Sequence, residues 1–483
     1  MMGSRGLRRG FFVYGLLCLA WLLLRSGLKP SRAQYPCQMA ARMNADLWLA
    51  AYVLPVFRSC PIRARLGGRR IALLVAVTLV VGVGYISLRE GTGNDTLNPS
   101  NQLQLESVEA SVLPASDVYV VTGTDGADDG VERLLGQMAG NGLKFYKSSK
   151  VTELSGPDGL VSADDVIIIK VNSQWDQRGG TNTDLVRSII QAVVDHPDGF
   201  RGEVVVADNG QAQYGAQGRG GSLDWASNNA QDHGQSIVDV VNGFKPTYRV
   251  SAYRWDTITN SVVSEYADGD AEDGYVVSTR VASSTSSISA YPKFTTEYGT
   301  MVSFRYGVYM PADNDYDSGR LKIINMPVLK THMIYGVTGA VKHYMGVTSD
   351  KLTSSLGYSA HSSVGRGGMG TLMAQTRVPD LNILDAIYVN ARPEEGPMTT
   401  YGDASEVNVI AASTDPVALD YWAAKHILCA VCEANGWGDA SNMDPDNTRS
   451  GEFGDWLRLS MEELNAAGYG FTCDEDRISV HVN

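Results

Sequence analysis

The six residues Val166-Ile-Ile-Ile-Lys-Val171 constrain the fold more than any other stretch of the chain. An unbroken, mostly β-branched apolar run offers no polar face to water, so it reads as a strand buried on both sides of a sheet. Thr183 to Val194 follows as a helix capped by Asn182 or Thr183. Glu203 to Ala207 (EVVVA) is a second strand and ends at Asp208-Asn209-Gly210. Strand, helix and strand within about 45 residues make a βαβ unit, which implies a parallel sheet. The single charge in the run, Lys170, sits near the strand's end. A buried ammonium is costly unless it reaches a partner, and Asn172 and Asp208 line the same carboxyl-end crevice.

The rest of the chain extends this α/β pattern. Val118 to Val121 reads as a strand, Asp128 to Met138 as an amphipathic helix, and Val407 to Ala411 as a further strand. Leu381 to Val389 is a strand or a buried helix with Asp385 inside it, paired with Lys170 or Lys342. Asp415-Pro416 opens a helix running to about Leu428. Between about 245 and 315, TYRVSAYRW, GYVVSTRV and MVSFRYGVYM look like strands of a β-rich insertion. Ser362 to Gly370, with its Gly365–Gly368 cluster, reads as a flexible loop, and Met369 to Gln375 as the start of a helix. The fold class expected is therefore α/β, a mostly parallel sheet with flanking helices and a β-rich insertion.

Charge divides the 483 residues unevenly. Residues 1–90 carry 13 Lys and Arg against Asp46 and Glu90, about +11, so the remainder is near −24 for the whole chain to reach −13. That acidic remainder excludes nucleic acid as the main partner, because a phosphate backbone calls for a basic face. The basic leader contains two apolar runs, Phe11–Leu24 and Ile71–Leu88. The second approaches the roughly 20 residues that a bilayer needs. Arg8-Arg9 resembles a twin-arginine export signal, and Arg63 to Arg70 would hold one end of the second run inside. The expectation is a leader over 1–90 with an export signal and membrane anchor, a linker over 91–116, an extracytoplasmic α/β domain over 117–430, and a C-terminal extension over 431–483.

Cationic residues gather in Arg320–Lys351, where Arg320, Lys322, Lys330, Lys342 and Lys351 face Asp350 alone. Leu321, Ile323 and Ile324 mark a strand that Asn325 and Pro327 end; Lys330, His332 and the turn Gly336-Val337-Thr338-Gly339 come next, then Lys342 and His343. A cationic pocket in an acidic protein implies a small anionic ligand, against the alternative of a solvated loop with ordinary surface lysines. His332 is the candidate catalytic base, kept neutral by Lys330 and Lys342. Lys342, Lys330, Lys170, Thr338, Gly339 and Asn172 are the candidate anion- or cofactor-binding residues, the turn's amides adding a cradle. Of the cysteines outside the leader, Cys429, Cys432 and Cys473, a disulfide and a spare thiol are the simple expectation. Joined by His426 they would instead be four metal ligands, and Cys429 with Cys432 would serve a redox accessory protein.

Five phrases in order, VIIIKVNS (166–173), VVVADN (204–209), INMPVLKTHMIYGVTGAVKHYMG (324–346), PDLNILDAIYV (379–389) and STDPVALDYWAAK (413–425), resemble the family called domain of unknown function 362 over about 117–430. Its members are often exported and their activity is largely unassigned; position 343 is His where the family usually shows Asn. More remotely, His332, Gly336, Gly339 and Lys342, as H-x3-G-x2-G-x2-K, resemble the lactate racemase segment. There the histidine is a proton-transfer base and the lysine carries a nickel-pincer nucleotide. The resemblance implies His332 as acid/base and Lys342 as tether or anion contact, while His233 and His361 lack the context of that family's remaining histidines. The functions expected are a proton-transfer enzyme, isomerase- or racemase-like, on a small organic anion, or a non-catalytic anion- or cofactor-binding protein.

Overall fold

The computed structural model describes residues 116–211, 221–225, 230 and 234–483. The leader with its export signal and anchor, the linker up to 115 and His233 lie outside the described residues. Among the described residues no helix is long and apolar enough to cross a membrane.

The chain alternates strand and helix as its periodicities dictate. β1 (Ser116–Thr122) leads to α1 (Gly130–Gly140), then β2 (Val166–Lys170), α2 (Thr183–Val194), β3 (Glu203–Asp208), α3 (Ile237–Phe244) and β4 (Val250–Arg254). Asn182 caps α2, its side chain accepting from the amides of Asp184 and Leu185. A small antiparallel sheet of five strands follows: β5 (Gly274–Val277), β6 (Ala290–Thr295), β7 (Met301–Ser303), β8 (Gly307–Met310) and β9 (Asp315–Asp317). The expected insertion is thus real but starts later. TYRVSAYRW supplies β4, which pairs in parallel with β3 in the main sheet.

β10 (Leu321–Asn325), β11 (Val328–His332) and β12 (Gly336–Thr338) lead to the single-turn α4 (Ala340–His343), then α5 (Gly368–Gln375), β13 (Leu381–Asn390), β14 (Ser405–Ser413), α6 (Pro416–Ala423), α7 (Phe453–Ala466) and β15 (Ile478–Val482). The main sheet has ten strands, in the order β15-β1-β14-β13-β10-β2-β3-β4, with β11 on β13 and β12 on β11. Its β13-β10-β2-β3-β4 half is parallel, whereas β14 runs antiparallel to both β1 and β13. The sheet is therefore mixed, with a parallel half where the βαβ unit lies. The C-terminal residues belong to this domain: β15 pairs in parallel with β1 at the sheet edge.

Side-chain alternation sorts the strands onto two cores. Ile167, Ile169, Val204 and Val206 pack with Leu185, Ile189 and Val193 of α2 and Leu134 and Met138 of α1. Val166, Ile168, Val205 and Ala207 face the opposite core, with Val341, Leu372, Val417, Trp456 and Phe294. The β-branched run is buried on both faces, as its composition requires.

The segment after β10 departs from expectation. Pro327 has no amide proton and stops β10's ladder, but the chain resumes as β11 because β13 is ten residues long and offers a further edge. Lys330 and His332 therefore stand on a buried strand rather than in a loop. The Gly365–Gly368 region is also ordered into helical turns. Its glycines serve packing: a Cβ on Gly370 would lie 2.1 Å from the backbone oxygen of Ser460 in α7. Gly370→Ala is expected to destabilise the fold by about 1–3 kcal/mol, read as a lower urea midpoint at unchanged slope.

Candidate functional site

The carboxyl ends of the parallel strands open into a cleft of about 310 Å³. Parallel strands in register bring their ends to one level, and here Asn325 of β10, Lys170 of β2 and Ala207 of β3 stand side by side. Lys330 and His332 are two apart on β11, so both point to the same side, into the cleft. α4 brings Lys342 and His343 from above. That turn is held by Asp420 of α6, whose carboxylate accepts from the amides of Ala340 (2.5 Å) and Val341 (2.9 Å). Gly339 permits this approach, since a Cβ there would lie 2.3 Å from Asp420 Oδ1. Of the residues read from the sequence, the structure gathers His332, Lys330, Lys342, Lys170, Thr338 and Asn172 around the cleft, while Gly339 shapes the turn behind it.

The floor is a connected polar chain. Lys170 Nζ donates to Asp208 Oδ1 (2.9 Å) and to the Val171 carbonyl (3.1 Å), and lies 3.0 Å from His343 Nε2. With an ammonium as its neighbour, His343 Nε2 accepts, so its proton sits on Nδ1 and is donated to Asn325 Oδ1 at 2.7 Å. Asn325 in turn donates to Asn382 Oδ1 and the Ala340 carbonyl. Asp208 Oδ2 accepts from the Ser173 amide and hydroxyl. Burial lowers Lys170 and raises Asp208, and each partner's charge opposes that shift. All three ammonium protons of Lys170 are thereby engaged within the protein. Gly346 fits over this pair because a Cβ would lie 2.2 Å from Asp208 Oδ1 and 2.6 Å from Lys170 Nζ. Asp385, expected to pair with Lys170 or Lys342, accepts from the Asn182 amide at the start of α2 (2.8 Å), and its charge acts on Lys330, opposing the effect of burial there.

The cleft walls contrast with the satisfied floor. Lys330 is 1% exposed and donates to the Gly179 carbonyl at 2.6 Å. Lys342 is 5% exposed and has neither hydrogen bond nor ion pair among the described residues; its ammonium sits 5.2 Å from the Tyr335 ring centroid. Burial pushes both lysines down to about 7, with the Lys342 charge adding to the effect on Lys330. Asn172 Oδ1, Trp175 Nε1 and Thr338 Oγ1 are buried in the same region without hydrogen-bond partners among the described residues. Buried polar groups are normally paired, so this cluster marks a place that receives something.

His332 has a fixed tautomer. Its Nδ1 accepts from the amides of Ile334 (3.2 Å) and Tyr335 (3.4 Å), which leaves the proton on Nε2. Burial, then Lys342, His361 and Lys330, lower it to about 2. The ring is a neutral donor at physiological pH rather than the near-neutral base its residue type suggested. His361, pushed down to about 4 chiefly by burial, shares the cleft, and Tyr335 donates to its carbonyl at 2.6 Å. The sequence offered His361 only as a histidine without the racemase context and did not point to Trp175 or Asp420, which no spacing rule connects to β11.

Cys429, Cys432 and Cys473 are free thiols, so the expected disulfide is not formed. Burial, then Asp444, pushes Cys429 up to about 12, the opposite of a reactive thiolate. Among the described residues no group of three or more His, Cys, Asp or Glu side chains is arranged to hold a metal ion. The four-ligand set proposed around His426 is therefore not assembled. The Lys342 amine is open to a covalent link, but both His343 nitrogens are committed and His332 offers only Nε2–H. These residues do not fit a nickel-pincer nucleotide.

Comparison with known proteins adds two findings. A thylakoid-associated protein of Synechocystis sp., sll1697, is 35% identical over 130 residues, 25% of this chain and 39% of that protein, so the chain spans well under half of that relative's length. No solved structure matches. Residues 321–425, which carry Lys330, His332, Lys342, His343 and Asp420, match the model of the family described as domain of unknown function (DUF362), in support of the family resemblance read from the sequence.

Proposed function

We propose that the cleft binds a small organic anion and moves a proton on it, in an isomerase- or racemase-like reaction. The observation that carries this reading is Lys342, a buried ammonium without an anionic contact, facing a cleft that it shares with Lys330. Two lysines held near 7 by burial are matched by a ligand that brings a counter-charge into contact with them. The roles follow from proton positions. The Lys342 ammonium holds the anionic group. The neutral fraction of Lys330, already substantial at pH 7, is a base of suitable strength. His332 Nε2–H donates to the oxygen on which negative charge develops, because its Nδ1 is occupied by backbone amides. Attachment of the domain to a membrane through residues 71–88 belongs to the same proposal, supported by that run's composition and by the relative described as thylakoid-associated.

Incubation with a panel of small chiral carboxylates in D2O tests the reaction. Deuterium entering at the carbon next to the carboxylate, and absent from the Lys342→Met variant, is the expected result. Stoichiometric binding across the panel without exchange would leave a binding protein only. The pH dependence has a definite sign. Folded-state values near 7 lie below the usual 10.5, so the lysines are cationic below pH 7 and lose the proton above it. Anion affinity is expected to be flat below about pH 6 and about tenfold weaker at pH 8 than at pH 6 for one coupled proton, measured by calorimetry.

A further inference from the structure

The mouth of the cleft carries a feature that the anion reading does not use. Met333 and Ile334, at the tip of the β11–β12 hairpin, both line the cleft and are 56% and 61% exposed. The hairpin tip is pinned to a second loop, the Met333 amide donating to the Gly396 carbonyl at 2.9 Å. That loop adds Pro397, half-buried, to the lining. Single exposed apolar residues need no explanation, but here two pinned loops present three apolar side chains together at the entrance of a cationic cleft. Thioether and branched side chains suit a flexible hydrocarbon, and nothing polar on these three side chains competes for water.

We propose that the ligand is an amphiphile, with a small anionic head at Lys342 and Lys330 and an apolar tail lying along Met333, Ile334 and Pro397. This rests on the anion-binding reading and adds the chemical class of the ligand. A tail leaving the head at this mouth loses contact with water against the rim, and each methylene so buried strengthens binding. A short, fully polar anion would fill the inner end and leave the rim bare.

The test is a homologous series of straight-chain carboxylates, acetate to octanoate, titrated as monomers into the protein by calorimetry at pH 6.5. Affinity is expected to rise about two- to fourfold per methylene once the chain reaches the rim, from a transfer free energy of up to about 0.8 kcal/mol per buried methylene. In the Met333→Ser/Ile334→Ser variant the ratio of octanoate to acetate affinity is expected to collapse towards one. Equal affinities along the series in the unaltered protein would overturn the amphiphile assignment while leaving the anion site intact. A steep series that the double variant does not flatten would overturn the rim's part in it. Absence of binding by every member, together with no pH-dependent response, would remove the anion reading and this inference with it.

Discussion

Replacing Lys342 with methionine is expected to stabilise the protein while weakening anion binding about ten- to hundredfold. The two effects share one cause. Burial holds the ammonium near 7 instead of its ordinary 10.5, a penalty of roughly 5 kcal/mol against the charged form when no ligand is present. Methionine keeps the volume and the contact with the Tyr335 ring and removes the charge. Exchanging a poorly compensated buried charge for a well-packed apolar side chain is typically worth about 1–4 kcal/mol of stability. The binding loss corresponds to one charge-assisted hydrogen bond, about 1.5–3 kcal/mol. Thermal melts and calorimetry on the same sample check both. A variant that melts lower and still binds anions would show that Lys342 is a structural partner of the fold.

Lys170→Met is expected to do the opposite, destabilising the protein by about 3–5 kcal/mol. Asp208 is buried, and without the ammonium its charge would keep only the Ser173 amide and hydroxyl. His343 Nε2 would lose its donor as well, loosening the link through Asn325 to Asn382. Adding Asp208→Asn to Lys170→Met should recover part of the loss by removing the stranded carboxylate. Urea unfolding of the two variants measures both effects. A loss below about 1 kcal/mol in the single variant would mean that the pair is not the keystone of the cleft floor. Two lysines of one cleft thus have contrary roles: Lys170 completes the fold, and Lys342 burdens it until a ligand arrives.

How much of this was legible in the sequence depended on range. β2, α2 and β3 could be placed almost to the residue because a run buried on both faces and a capped amphipathic helix are local signals. β11 could not, because Pro327 is a strong stop and only the long neighbour β13, some fifty residues on, gives the chain an edge to resume against. The lysines and His332 were recognisable from charge contrast, yet the proton position on His332 is set by two amides of its own turn. Asp420 carries no local signal, since its partner is the α4 turn eighty residues earlier. Gly367, Gly368 and Gly370 looked like flexibility and prove to be close approaches between α5, α7 and neighbouring turns. Interactions of that kind follow from topology, which a single chain's pattern does not encode.

The account turns on the state of one ammonium, and that can be measured directly. Following the Lys342 side-chain resonances by NMR against pH, assigned through the Lys342→Met variant, gives its titration alone and with a saturating small carboxylate. The account predicts a midpoint near 7 without ligand, moving upward when the anion binds. A midpoint at the ordinary lysine value of about 10.5, unmoved by the carboxylate, would contradict it.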